Sequence, residues 1–544
     1  MKAWKLWAAA AVSAALLELP FPLAGPMPAW RAGFAWIGLA PLLWAVLSGG
    51  EGPRPLRRAF LLGYLSGVLW YMGNCYWIYA TMHIYGGLPP VVSVLLLVAY
   101  SLVLGLYFGL FAAGLALVRQ KTGSTRLALG FAPFLWTALE LAAARITSVP
   151  WDQLGYSQIE NQAITALAPW TGVYGITFLI VAVNALIVEE ILSGRQPSRI
   201  ATNRLVALVA VLTATAYVPP VNPAPTDTAV LVQPNLNVGG EGFWSGQEWD
   251  RNMAQFAALA TEPASKSTAY IAGIPETGAS LAQVAPAAHS ANPDLVAWPE
   301  SPAPFIQGDP RLEPWLRTIA LEAHAPLVVG GIGLDAMAGE PDLRYYNSAM
   351  VIGADGRHLG RYDKIHLVPF GEYIPFQELL TFAHKLTGRV GAFSRGTQRK
   401  TFLLNAADGS QHRYGVFICY EAVFADEVRH FAANGAEVLV NISDDGWYGD
   451  TSAPWQHLNM ARMRAVENRR WLLRDTNNGT TAAIDPYGRV RQSIARHQVG
   501  ELTAQFAFST DVTFYSAHGD VFAWICVLLS LGMVGWAEWK QPRA

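Results

Sequence analysis

The sequence predicts a multi-pass α-helical membrane domain of eight spans, joined to an α/β domain outside the cytoplasm. Apolar residue types make up 52% of the 544 residues and charged types only 14%, where soluble domains carry about 25% charged residues. The charge is also uneven, with 20 charged residues in 1–220 and 58 in 221–544. Between Arg58 and Arg119 there is no Asp, Glu, Lys or Arg. A part within the bilayer is therefore followed by a water-soluble part.

The membrane part is predicted to contain seven spans in 1–220, and an eighth span precedes the tail in 516–544. A crossing helix needs about 20 mostly apolar residues. The predicted spans are Leu6–Leu23, Ala29–Leu47, Ala59–Tyr79, Val91–Val118, Ala128–Ala144, Ala168–Ile191, Leu205–Val218 and Val521–Trp536. The seventh is short. The first has the lysines of a signal peptide before it, but an uncleaved span is favoured because further spans follow at once.

The orientation follows from the positive charges in the connecting loops. With the N-terminus in the cytoplasm, thirteen Lys and Arg residues lie in cytoplasmic ends and loops, and only Arg31 and Arg145 lie in the short outer loops. This bias requires an even number of spans. It predicts a cytoplasmic tail and places 221–515 on the outer side of the membrane.

Composition and cysteine usage exclude several classes of protein. The net charge of −2 provides no basic surface for nucleic acid. Cys75 and Cys526 lie in apolar spans and Cys419 is alone in the soluble part, so no disulfide framework is expected there. No histidine or cysteine spacing indicates a metal, and we expect no cofactor. Glu18 and Glu140 lie within or beside spans, where each marks either a function or, as we favour, a span end.

The soluble part alternates short strands with helices, which indicates one α/β domain over 221–515. Ala354-Asp355-Gly356 forms a turn, so the strand before it and the run ending at Tyr362 are a predicted hairpin. A helix is predicted over Gln456–Trp471. The predicted strands are Ala229–Val232, Leu295–Trp298, Pro326–Gly330, Ser348–Ile352, Gly415–Cys419 and Glu437–Ile442.

Three residues with catalytic chemistry follow strands or strand-like runs. Glu300 follows Leu295–Trp298 and a proline, at the strand end where α/β sheets place ligands. Lys364 lies in the largely non-helical stretch after Arg361, and Cys419 ends an apolar strand as in a strained nucleophile turn. Each has an ordinary alternative: a turn residue, a surface charge or a buried thiol. Together they form an acyl-transfer set.

In such a set the thiol needs a base, because little of it is ionised at neutral pH. Glu300 can serve if a dry site raises its pKa. Lys364 and the backbone N–H of Tyr420 would then stabilise the oxyanion of the tetrahedral intermediate. A pair of Cys419 with His366 remains a second possibility that the spacing does not favour.

The motifs around these residues carry a family resemblance. Trp298-Pro-Glu-Ser301, Tyr362-Asp-Lys364 with Glu372-Tyr373, and Ile418-Cys-Tyr-Glu421 resemble the nitrilase superfamily. Within it, the chain looks like the membrane apolipoprotein N-acyltransferases of bacteria, since Asn441–Asp450, Trp455-Gln-His457, Arg474–Gly479 and Pro150–Gln158 also match.

The resemblance implies an αββα nitrilase domain and assigns roles by motif. Cys419 would be the nucleophile, Glu300 the general base and Lys364 the oxyanion stabiliser. Supporting or substrate-binding roles fall on Glu372, Tyr420, Glu421, Tyr373 and Trp249. Trp244 competes with Trp249 for the loop tryptophan, because Val238–Gly246 lengthens that loop. The stretch Ile274–Asn292 is also unlike the family.

The implied reaction takes an acyl chain from a phospholipid, usually phosphatidylethanolamine, through a cysteine thioester. The acceptor would be the α-amino group of a diacylglyceryl-cysteine on an apolipoprotein. The implied location is the bacterial inner membrane, with the catalytic domain on the periplasmic side. A membrane-tethered amidase that hydrolyses a small amide is the alternative. A tethered amidase needs only one span, so the eight predicted spans favour a lipid substrate. The intact set of Glu300, Lys364 and Cys419 disfavours a non-catalytic scaffold.

Overall fold

The computed structural model describes residues 3–48, 55–193, 224–238, 246–261, 292–300, 303–336, 343–373 and 393–539. The predicted seventh span, Trp244, residues 219–223 of the proline-rich stretch 219–225 and all but the last residue of 274–292 lie outside these residues.

The N-terminal part is helical. The buried side chains of its helices form one continuous apolar core. The helices are α1 (Ala3–Glu18), α2 (the helical run Ala29–Ser48), α3 (Pro55–Asn74), α4 (Pro90–Thr122), α5 (Thr125–Ile146) and α6 (Val173–Ser193).

Among the described residues, five helices are long and apolar enough to cross a membrane: α2, α4, α5, α6 and the C-terminal helix Val521–Trp539. The first predicted span corresponds to α1, which has only 16 residues. The third corresponds to α3, which is long enough but contains Arg57 and Arg58 and is less apolar. The membrane character is confirmed by these helices, and the count of eight stays a prediction.

The second part contains two six-stranded sheets. The strands are β1 (Asp227–Gln233), β2 (Leu295–Trp298), β3 (Leu327–Ala336), β4 (Leu343–Ile352), β5 (His358–Asp363), β6 (Thr401–Asn405), β7 (Gln411–Ile418), β8 (Val438–Ser443), β9 (Leu472–Thr476), β10 (Thr481–Ile484), β11 (Val490–Ile494) and β12 (Gly500–Phe506). The sheet orders are β12-β1-β2-β3-β4-β5 and β11-β10-β9-β8-β7-β6. In each sheet three central strands are parallel and antiparallel strands flank them.

The sheets pack face to face between helices. On β2, Leu295 and Ala297 belong to the core between the sheets, whereas Val296 and Trp298 face the helices of the first sheet. This alternation is the period of two expected of strands. The remaining helices are α7 (Gln247–Thr261), α8 (Glu313–Ala323), α9 (Ala425–Ala433), α10 (Ala453–Asn468), α11 (Phe514–His518) and α12 (Val521–Trp539).

The structure confirms the predicted strands and the hairpin of β4 and β5, although several strands are longer than predicted. The strand predicted to end at Cys419 ends at Ile418. The helix predicted over Gln456–Trp471 is α10, which begins at Ala453 and ends at Asn468 because Arg469 adopts a left-handed conformation.

Helix α10 joins the two parts of the molecule. Leu458 and Ala461 pack into the core of the sheets, whereas Met460 and Met463 belong to the apolar core of the membrane part. Polar side chains continue this junction, since Arg464 donates to the Tyr156 hydroxyl at 2.9 Å. The site described next therefore lies on the side of the second sheet that faces the membrane helices.

Candidate active site

Cys419 occupies a sharp turn directly after β7. Its φ of 48° is left-handed, a strained conformation for a residue with a side chain. A short helical turn, Cys419–Val423, follows. The thiol is buried, with 5% of the residue exposed. The predicted sharp turn between strand and helix is present at Cys419, and the nucleophile role of its thiol stays a prediction.

Glu421 holds this turn from within. Its carboxylate accepts from the N–H of Ile418 at 2.7 Å, from the N–H of Ile365 at 2.7 Å and from the Tyr362 hydroxyl at 2.8 Å. One side chain therefore ties the nucleophile turn to the segment that carries Lys364. These contacts stabilise the turn at Cys419, and the supporting role that the resemblance assigns to Glu421 stays a prediction.

The lysine cluster, defined as Glu300, Lys364, Glu372 and Asn347, lies beside the thiol. Lys364 Nζ is 2.8 Å from Glu300 Oε1 and 3.0 Å from Glu372 Oε1. Asn347 Nδ2 donates to the same two atoms, at 2.7 and 2.5 Å. The fold thus brings together three predicted residues that are far apart in the chain, and adds an amide that bridges the two carboxylates.

Burial and charge set the protonation states in this cluster. Burial lowers the pKa of Lys364, but Glu300 and Glu372 more than reverse this, so its pKa is well above the ordinary value. Burial raises the pKa of the Cys419 thiol, and the charge of Glu300 adds to the rise. The resting site therefore holds an ammonium and a neutral thiol.

For Glu300 the structure differs from the sequence prediction. Burial raises its pKa as expected, but the charge of Lys364 and the hydrogen bond from it outweigh burial, so the pKa lies below its ordinary value. The base role of Glu300 was conditional on a pKa raised by a dry site, and the charge of Lys364, 2.8 Å away, outweighs that effect of burial. The role itself stays a prediction. Glu300 is a carboxylate, and its charge raises the pKa of the Cys419 thiol.

The other predicted residues occupy different surroundings. Tyr373 lies beneath the guanidinium of Arg395, 4.9 Å from its ring centre. Trp249 is 3% exposed in the core outside the first sheet, with Arg311 over its ring at 4.5 Å. The structure does not bring Trp249 into the lysine cluster, and its role as the loop tryptophan stays a prediction. His366 contacts Glu427 at 3.0 Å and stacks on Phe424, not on Cys419.

A second buried group, the arginine cluster, consists of Asp445, His457 and Arg474. Arg474 Nη2 donates to both oxygens of Asp445, at 2.9 and 2.8 Å. His457 Nδ1 is 3.0 Å from Asp445 Oδ1, and His457 Nε2 is 3.0 Å from the carbonyl oxygen of Cys419. This cluster therefore reaches the backbone of the nucleophile rather than its thiol.

Sequence reasoning gave no role to Asn347 or to the arginine cluster. Asn347 and Ser348 are two polar residues within β4, ahead of its apolar end, and polar residues in a buried strand are a signal for a network. Asp445 lies two residues after β8, near a strand end like Cys419 after β7. Because the ends of neighbouring parallel strands meet at one edge of a sheet, that position was a usable signal.

Aromatic side chains connect the site to the membrane part. Tyr420 belongs to the apolar core of the membrane helices, and Trp151 stacks on its ring with centres 6.3 Å apart. Trp151 also donates to Gln456 at 2.8 Å. The residue after the nucleophile thus faces the membrane side of the junction.

Comparison with known proteins agrees with this architecture. Residues 231–510 match the carbon-nitrogen hydrolase family, which defines the class of the soluble domain. Residues 13–186 match the apolipoprotein N-acyltransferase N-terminal domain. The chain belongs to the apolipoprotein N-acyltransferase family and is an acyltransferase.

Relatives extend over nearly the whole chain. The apolipoprotein N-acyltransferase of Geobacter metallireducens is 36% identical, covering 95% of this chain and 92% of the relative. That of Azotobacter vinelandii is 32% identical, covering 94% and 92%. A solved structure, Saccharomyces cerevisiae Nit3 of the nitrilase superfamily, is 17% identical with a TM-score of 0.35, covering 53% of this chain and 92% of that chain.

Proposed function

We propose that this protein transfers a fatty acyl chain from a phospholipid to the α-amino group of the diacylglyceryl-cysteine of apolipoproteins, through a thioester on Cys419. The observation that carries the proposal is the lysine cluster beside a strained, buried thiol, whose neighbour Tyr420 packs in the apolar core of the membrane helices. Family membership supports the apolipoprotein as the acceptor. Phosphatidylethanolamine is the proposed donor.

The first half-reaction forms the thioester. The sulfur of Cys419 attacks the ester carbonyl of the lipid while Glu300 takes the thiol proton. Lys364 and the Tyr420 N–H stabilise the negative charge that develops on the carbonyl oxygen. The carbon–oxygen bond then breaks, Glu300 returns the proton to the departing alcohol, and the lysophospholipid leaves.

The second half-reaction consumes the thioester. The amine of the diacylated acceptor attacks the thioester carbon, Glu300 removes a proton from the nitrogen, and the same donors stabilise the second oxyanion. The carbon–sulfur bond breaks and the sulfur regains its proton from Glu300. Because both substrates are bulky and use one site in turn, we expect ping-pong kinetics.

The test is direct observation of the acyl-enzyme. Purified protein incubated with phospholipid alone should gain one acyl mass on Cys419, which hydroxylamine removes and a diacylated lipopeptide discharges with matching product. Cys419→Ala should lack this adduct, and Glu300→Gln should form it very slowly. Transfer that proceeds without any acyl mass on Cys419 would contradict the thioester route.

The same assay separates the acyltransferase from the amidase alternative. An acyltransferase discharges its thioester onto the lipopeptide amine. An amidase discharges it into water and also cleaves small amides. Release of free fatty acid with no lipopeptide product would favour the amidase.

We also propose that the protein lies in the bacterial inner membrane with both termini in the cytoplasm and 221–515 in the periplasm. The support is the excess of Lys and Arg in the loops on one side. Reporter fusions after Gly50, Thr122 and Gly194 should give cytoplasmic signals, and fusions after Gly86 and Ser410 periplasmic signals. A cytoplasmic signal after Ser410 would overturn this topology.

A further inference from the structure

His457 lies on α10, beside the nucleophile but without a role in the proposed chemistry. It is fully buried, and its Nε2 is 3.0 Å from the carbonyl oxygen of Cys419. A carbonyl oxygen only accepts hydrogen bonds. The proton must therefore be on Nε2 for this contact to be a hydrogen bond, whether the ring is neutral or charged.

The accepting carbonyl belongs to the same peptide unit as the N–H of Tyr420. A peptide unit is planar, and in the trans form its C=O and N–H point in opposite directions. A donor that fixes the carbonyl of Cys419 therefore also fixes the direction of the Tyr420 N–H. A hydrogen bond to the carbonyl further polarises the amide, which strengthens its N–H as a donor.

This peptide unit needs an external restraint. Cys419 has a φ of 48°, a strained conformation that persists only where the surroundings impose it. The surroundings of His457 are rigid. Asp445 Oδ1 lies 3.0 Å from the Nδ1 of His457, and both carboxylate oxygens of Asp445 accept hydrogen bonds from Arg474.

The membrane part fixes α10 on the other side of His457. The neighbouring residue, Gln456, accepts from Trp151 Nε1 at 2.8 Å and donates to the carbonyl oxygen of Asn74 at 3.1 Å. The Trp151 ring also stacks on the imidazole with centres 6.2 Å apart. The position of His457 relative to Cys419 is therefore set by both parts of the molecule.

We propose that His457 is a positioning residue for acyl transfer: its Nε2–H holds the Cys419 carbonyl and thereby aims the Tyr420 N–H at the oxyanion of both tetrahedral intermediates. The inference rests on the proposed function, in which Cys419 is the nucleophile. His457 itself touches no reacting atom and exchanges no proton in the reaction.

The test compares two reactions of the same thiol in the full-length protein. Acylation by phospholipid passes through an oxyanion, whereas alkylation by iodoacetamide displaces iodide at a methylene carbon and forms none. His457→Met removes the hydrogen-bond donor and should slow single-turnover acylation by about 10–10³-fold. The upper end of this range equals the effect of losing one oxyanion donor. It should lower kcat rather than raise KM, and alkylation should keep the wild-type rate.

His457→Gln is the rescuing variant, because its amide N–H can reach the same carbonyl, and it should recover most of the acylation rate. Met463→Leu, on the same helix but facing the membrane core, is the control and should change neither reaction. If His457→Met does not fold, His457→Asn takes its place. The shorter amide of this variant falls short of the carbonyl, so it should acylate more slowly than His457→Gln.

Two results would overturn the inference. One is wild-type acylation without a donor at position 457. The other is an equal loss of acylation and alkylation, which means a displaced thiol rather than a misdirected N–H. A wild-type protein that transfers acyl chains but never carries one on Cys419 instead contradicts the proposed function, so the two failures are distinguishable.

Discussion

Two buried charged clusters flank Cys419, and they differ in how their charges balance. The lysine cluster sets one ammonium against two carboxylates that also share an amide. The arginine cluster pairs one guanidinium with one carboxylate through both oxygens. The charges of Glu300 and Lys364 in the first cluster act on the pKa of the Cys419 thiol, whereas His457 in the second contacts the backbone carbonyl of Cys419.

This difference suits the lysine cluster to proton transfer and the arginine cluster to holding the geometry of the site. A shared cation lets Glu300 accept and return a proton while Lys364 stays charged. In the arginine cluster, Nη2 of Arg474 reaches both oxygens of Asp445 and Nη1 donates to Asn441, so this pair fixes geometry instead. Breaking the lysine cluster should therefore cost mainly rate, and breaking the arginine cluster should cost mainly stability.

The largest expected effect is on the rate and comes from Lys364→Met. Loss of one oxyanion donor should slow acylation of Cys419 by about 10²–10³-fold, with the fold retained. Lys364→Arg should not restore the rate, because the guanidinium has a different shape and hydration. Intact-protein mass spectrometry over time measures this rate. Activity close to wild type would show that the lysine has no electrostatic role.

The matching change in the arginine cluster is Arg474→Met. It leaves the Asp445 carboxylate buried without its cation, which costs about 3–5 kcal/mol in comparable pairs. We expect a clear fall in the thermal unfolding temperature in detergent. The fall should be larger than that of Lys364→Met, because the two neighbouring carboxylates that Lys364→Met leaves can share one proton. Arg474→Lys should recover only part of it. An unchanged unfolding temperature would remove the distinction between the clusters.

A smaller effect concerns the acid limb of the acylation rate. The charge of Lys364 holds the pKa of Glu300 below its ordinary value against burial, so the base form persists as the pH falls. In Lys364→Met this charge is gone while burial remains, so the pKa of Glu300 should rise and the rate should be lost at a higher pH. Glu372→Gln removes a negative neighbour and should not move the limb upward. Residual rates across acidic pH check both variants.

The smallest effect is expected at the junction of the two parts, outside both clusters. Asp426 pairs with Arg145 at 2.8 Å, and despite partial burial its hydrogen bond and charge contacts with Arg145 lower the pKa of Asp426 to about 2. Because the folded-state pKa of Asp426 is lower than its unfolded-state pKa of about 4, the carboxylate stabilises the fold at pH values above about 4. This stability is lost as the pH falls toward the folded-state pKa. Asp426→Asn should lower stability by less than about 1 kcal/mol, since the pair is partly exposed. Unfolding temperatures at neutral and acidic pH, where the difference should shrink, test this.

The sequence by itself determined the division into membrane and soluble parts, most of the strands, and the strand ends that carry Glu300 and Cys419. These features are local, since apolar runs, turn residues and charge density are properties of neighbouring residues. The resemblance extended them to Lys364, Glu372 and Glu421, whose mutual contacts the fold then supplied.

Only the tertiary structure decided which groups share a charge and which residues hold the nucleophile. Asn347 reaches Glu300 and His457 reaches Cys419 across long stretches of chain, so no local pattern indicates the contact. The pKa of Glu300 falls rather than rises because Lys364 lies 2.8 Å away, and the balance between burial and charge depends on that distance. Local patterns place residues on elements, whereas the energies of a buried site depend on separations that only folding sets.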